Sequence, residues 1–131
     1  MQSVNDVPQE LDWVKKRAAC SLKQVFCELH RGVVEDVKDA NESLQPKMPF
    51  DVVVSKLGED FTVQRAESLR PTTSFVLLGQ HIVISSSASK EQWKFTVGLN
   101  NDGRCQLRWD GQEYEQWQVR KMALESLFFG S

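Results

Sequence analysis

Two histidines and three cysteines are the side chains of this chain best suited to metal or nucleophilic chemistry. Cys27 and His30 stand three residues apart, a spacing that sets both on one side of a helix, where they could share a metal ion or pair as thiol and imidazole. Cys20 lies one heptad earlier on nearly the same side. A zinc site would need a fourth ligand from elsewhere, with Cys105 the candidate, and no Cys-x-x-Cys or His-x-x-x-His pattern accompanies these residues. Free cysteine is commonly buried as a small hydrophobe. Cys20 and Cys27 therefore read as residues flanking an apolar stripe, and His30 as its polar edge. A catalytic thiol needs an accessible, electropositive setting, whereas Cys105 falls on the inward face of a strand. The chain has no glycine-rich phosphate loop, no local Ser-His-Asp signature and no acidic cluster. No catalytic residue, metal or cofactor is assigned, and an enzyme is the second reading. All three cysteines are expected as free thiols. Cys20 and Cys27 would be about 10.5 Å apart along one helix, beyond disulfide reach. Cys105 can meet one of them only if its strand packs directly beneath.

The elements that would hold these residues are most legible between Thr72 and Trp109. Trp93, Phe95, Val97 and Leu99 alternate with polar or small residues, and so do Cys105, Leu107 and Trp109, the period-two pattern of an antiparallel ribbon. A three-residue loop Asn101-Asp102-Gly103, with Gly103 left-handed, sets Leu99 opposite Cys105 and Val97 opposite Leu107. Phe95 then faces Trp109, which is expected to anchor the core. The outward face carries Lys94, Arg104 and Arg108, which reads as a solvated sheet surface. Gly79-Gln80 suits a two-residue turn, with Leu77 facing Ile82, Phe75 facing Ile84 and Val76 facing Val83. Both faces of that hairpin are apolar near its turn, which predicts cover on two sides. A less regular hairpin, Phe50 to Leu57 and Phe61 to Ala66, precedes it with its register open.

Ahead of the strands an apolar stripe runs from Leu11 through Val14, Ala18, Leu22, Leu29, Val33 and Val37 to Leu44 at nearly the α-helical period. A helix over residues 8–44 would be about 55 Å long against about 27 Å for a strand of eight residues. It must break near Gly32 or overhang its sheet, and both readings stand. Asp6, Pro8 and Gln9 mark its start. After Asp110-Gly111 a seventh strand, Glu113 to Val119 with Arg108 opposite Glu113, competes with a helix from about Glu113 to Phe129. The helix is preferred because Trp117, Arg120, Leu124 and Phe128 recur at helical spacing. The expected fold is α+β: a long N-terminal helix, an antiparallel meander of about six strands, and a C-terminal helix, the helices on one face of a curled sheet. Residues 1–131 read as one domain with residues 1–7 a flexible tail.

With 131 residues, 40% of them hydrophobic, the chain can bury a sizeable core. Its formal net charge of −2 gives no nucleic-acid footprint. No apolar run reaches the roughly 18 residues of a membrane span, and the polar N-terminus lacks a signal-peptide core. The expectation is a cytoplasmic protein. Asn41-Glu42-Ser43 matches a glycosylation sequon but is discounted at a helix end without a secretion signal. Surplus apolar surface points to a non-enzymatic protein-interaction or self-association module, most simply a two-fold homodimer. Its expected interface residues are Val76, Leu78 and Val83 on the outer sheet face, with Val33, Val37 and Leu44 on the overhanging helix. The alternative is a small-molecule binder or enzyme with a cavity between helix and sheet.

Overall fold

The computed structural model describes residues 12–55, 58–65 and 71–130. The expected tail at residues 1–7 and the helix start at Asp6–Gln9 lie outside them. The described chain runs α1 (Trp13–Ala19), α2 (Leu22–Leu44), β1 (Phe50–Val54), β2 (Asp60–Arg65), β3 (Thr72–Leu78), β4 (His81–Ser86), β5 (Glu91–Leu99), β6 (Cys105–Trp109), β7 (Gln112–Tyr114) and α3 (Gln116–Phe129). The seven strands form one antiparallel sheet in sequence order, with a long N-terminal helix and a C-terminal helix packed on it.

The two hairpins expected from turn chemistry have the expected registers. Leu77 pairs with Ile82 and Phe75 with Ile84 around Gly79, whose φ is +61°. Leu99 pairs with Cys105 and Val97 with Leu107 around Gly103, at φ +78°. The Asn100 carboxamide accepts from the N–H groups of Asp102 and Arg104 and fixes that loop. The sheet has seven strands rather than six because both continuations after Gly111 occur in succession: Arg108 pairs with Glu113 in a short β7, and α3 follows. Trp109 is only half-buried, opposite Gln112, while Phe95 pairs with Ile82 and meets the Tyr114 ring edge-on. The buried anchor of this ribbon is Trp93, 5% exposed.

The first helix does not break at Gly32, the place expected. Gly32 is inside α2, and the interruption falls at Cys20-Ser21. Ser21 is extended and its hydroxyl accepts from the Gln24 N–H at 3.1 Å, so it starts a new helix. The overhang is corrected for a geometric reason. α2 packs on β1, β4 and β5 and so crosses the strands. Its 23 residues, roughly 34 Å long, match a seven-stranded sheet about 29 Å wide. Val33 and Val37 are thus in the core, 0% and 6% exposed, with Val25, Phe26 and Leu29.

Opposite these lie Phe61, Val63, Phe75, Ile82, Ile84, Phe95 and Leu107. Phe61 stacks on Phe75 with centroids 4.6 Å apart. α3 closes the same face with Val119, Ala123, Leu124 and Leu127. The three free thiols are also corrected. Cys20 bonds to Cys105, which lies beneath the α1–α2 junction, and Cys27 alone is free. The bridge spans 85 residues of sequence, so only the assembled fold brings the two together.

Candidate functional site

α3 carries more apolar surface than one face can bury. Its core stripe is Val119, Ala123 and Leu127, and Trp117 belongs to a second stripe with Leu124 and Phe128 that looks along α2. A helix apolar on two faces needs two partners. The sheet supplies one. On the other side α2 approaches with Asp36, Ala40 and Leu44 at four-residue spacing, and the two helices enclose a groove of about 390 Å³. Trp117 is 56% exposed at one end, and Phe129 and Leu44, 67% and 39% exposed, stand at the other.

The ions around the groove are partly spent on one another. Arg120 Nε donates to Asp36 Oδ2 at 2.7 Å across the helix pair. This pair is half-buried, and Arg120 lies over Gly32, where a Cβ would come within 2.6 Å of its Nη1. Lys121 pairs with Glu125 one turn on, at 3.3 Å. Asp39, also on the rim, has no ion-pair partner among the described residues. Glu42, near the end of α2, lines a trench on the β1 side instead. At the opposite end of the interface Gln116 donates to Glu28 at 2.7 Å, which with the Gln118 side chain accepting from the Glu115 N–H fixes the entry of α3.

The residues singled out in the sequence scatter over three surfaces. Leu44 is in the groove, and Val33 and Val37 are unavailable in the core. Val76 and Val83 are half-buried on the open sheet face beside Asp60 and Lys94, and Leu78 is 62% exposed at its hairpin end. That face carries no second layer of described residues. It stays wettable because the neighbouring row is Thr62, Ser74, Ser85 and Gln92, linked by hydrogen bonds between Thr62 and Ser74 and between Gln92 and Ser85. Cys27 and His30 do share a shallow hollow, with Arg31, Val34 and Asp60. The His30 ring lies against Phe61 at 4.7 Å, and no hydrogen bond joins it to the thiol. No group of three or more His, Cys, Asp or Glu among the described residues is placed to hold a metal ion. No described helix is long and apolar enough to cross a membrane.

Asn41, the sequon residue, has a structural task. Its carboxamide donates to the Phe50 carbonyl at 3.0 Å and accepts from the Phe50 N–H at 2.8 Å, so it pairs with β1 as a neighbouring strand would. A glycan on that nitrogen would displace this contact. Sequence reasoning used Trp117, Leu124 and Phe128 only as the helical spacing that favours α3 and assigned them no surface. The available signal for a second surface was that α3 has apolar residues on more than one face. Comparison of the chain with models of protein families, with curated proteins and with solved structures finds no match.

Proposed function

We propose that this chain is a non-enzymatic protein-interaction domain that also forms homodimers, and that its partner site is the groove between α2 and α3. The observation that carries this reading is the exposure of Trp117, Phe129 and Leu44 around one apolar groove. Clustered apolar exposure of this kind marks interaction sites on soluble domains, and a partly exposed tryptophan is a frequent binding anchor. The occupant that fits is an amphipathic helix. Its apolar residues would follow the groove at helical spacing, and a basic residue on its flank would meet Asp39. The Cys20–Cys105 bond adds a condition of place, being stable in an oxidising compartment and short-lived in a reducing cytoplasm.

The test is selection of binders from a random-peptide library against the oxidised protein. The recovered sequences should show apolar residues at helical spacing with Lys or Arg between them. Their binding should fall at least tenfold with Trp117→Glu and stay unchanged with Leu78→Glu. Binders indifferent to Trp117→Glu would overturn the groove as the site.

A further inference from the structure

The sheet ends at β1, whose outer edge is only partly closed. The Ser55 N–H donates to the Asp60 carbonyl at 3.1 Å, which sets the phase of the ladder. Asp51, Val53 and Ser55 turn their main-chain groups toward β2, and Phe50, Val52 and Val54 turn theirs away. Of these outward groups, both at Phe50 are taken by Asn41, and the Val52 N–H donates to the Asp51 carboxylate at 3.0 Å. The Val52 carbonyl and both groups of Val54 have no partner among the described residues. Beside this edge runs a trench of about 660 Å³ between β1 and α2, walled by Val34 and Lys38 on one side and Val52 and Val54 on the other. Val53 and Val54 are 46% and 48% exposed.

We infer that this edge is the homodimer contact, β1 pairing with β1 of a second copy about a two-fold axis through Val53. The inference rests on the self-association half of the reading above and names its surface. An antiparallel pair centred on Val53 brings each Val54 N–H to the Val52 carbonyl of the other copy, which makes two hydrogen bonds about the axis; each Val54 carbonyl faces the other copy's Val52 N–H, which the Asp51 carboxylate holds until the strands pair. The contact is isologous and closes. Its length also fits. In this register the strand ends at Val54, opposite Val52 of the other copy and two positions short of Phe50, whose edge Asn41 has closed. A longer foreign strand would run into that carboxamide, while β1 of a second copy ends at Val54, before reaching it. The two Val53 side chains then form a close non-hydrogen-bonded pair on the outer face.

The experiment is sedimentation of the full oxidised chain at micromolar concentration, with Val54→Pro, Val53→Lys and Trp117→Glu beside the wild type. Val54→Pro removes an N–H that the monomer's ladder does not use, and proline is tolerated on an edge strand. Two main-chain hydrogen bonds per dimer are lost, so dimerisation should weaken at least tenfold. Val53→Lys should give folded monomer, and Trp117→Glu should remain dimeric. In a Cys27→Ser background, Val53→Cys should cross-link to dimer on mild oxidation, because a non-hydrogen-bonded pair holds its α-carbons about 4.5 Å apart. Leu78→Cys should not. Melting curves keep the result interpretable if one variant folds poorly, since the cross-link needs no proline or charge. A monomeric wild type would overturn self-association altogether. A dimer unmoved by the edge variants and not cross-linked through position 53 would overturn this surface alone.

Discussion

Arg120 lies across the α-carbon of Gly32, and the glycine leaves the space through which its guanidinium reaches Asp36. A glycine within a helix costs about 1 kcal/mol relative to alanine, and here that cost permits the close approach of α3 to α2. Gly32→Ala should therefore give no gain, or a small loss, in the wild type. In an Arg120→Ala background the same change should stabilise by about 1 kcal/mol. Denaturant melts of the four proteins in the cycle provide the check. Equal effects of Gly32→Ala in both backgrounds would show that the two residues are not coupled.

Cys20 and Cys105 close a long loop, and cross-links of this kind typically contribute about 2–4 kcal/mol. Thiol titration of unfolded, unreduced protein should find one free group, Cys27. The double substitution Cys20→Ser, Cys105→Ser should lower stability by roughly that amount. Three titratable thiols would remove the bridge from the account.

The tryptophans should separate by burial. Trp93→Ala should cost about 3–5 kcal/mol, as expected for a large buried side chain. Trp117→Ala should cost under about 1 kcal/mol, because most of its surface is already in water. Trp109, half-buried, should fall between them. Chemical denaturation ranks the three, and a Trp117 variant as unstable as Trp93→Ala would mean that the groove is a closed part of the core.

Glu28 joins α2 to α3 and carries a pH dependence of known sign. Hydrogen bonds from Gln24 first and Gln116 second, with the charge of Arg31, hold its pKa below the usual 4.5, against a smaller opposing effect of burial. The folded state thus favours the ionised form. Its contribution to stability is complete above the unfolded value and is lost as pH falls through the lower, folded one. Glu28→Gln keeps an acceptor oxygen but does not titrate. The stability difference between wild type and variant should be constant near neutrality and shrink in acid below the usual carboxylate range. A difference that stays constant into acid would contradict this.

The hairpin registers were legible because turn and pattern agree locally. Gly79 and Gly103 take the left-handed geometry their turns need, and one residue of slip would have turned Ile82 or Leu107 to water. The helix break has a local signal, since Ser21-Leu22-Lys23-Gln24 carries a capping pattern, but the apolar phase runs through it without interruption and hides it. What sequence did not contain was direction. Nothing in α2 says whether it lies along the strands or across them, and only the crossing puts Val33 and Val37 inside. The Cys20–Cys105 bond, the Asn41–Phe50 pairing and the Arg120–Gly32 contact are all tertiary. The site was half-legible in the same way: Leu44 stood out as surplus apolar surface, while Trp117 served only to mark the helical spacing of α3.

The proposed role of the α2–α3 groove is to receive a helix from a partner. Its most direct test is an amide and indole chemical-shift map of the oxidised protein, titrated with the tightest peptide from the library selection. The Trp117 indole N–H and the amides of Ala40, Leu44, Leu124 and Phe128 should shift together and saturate at one stoichiometry. Shifts confined to His30, Val34 and Val54, or to Ser74, Val83 and Ser85 on the open sheet face, would contradict it.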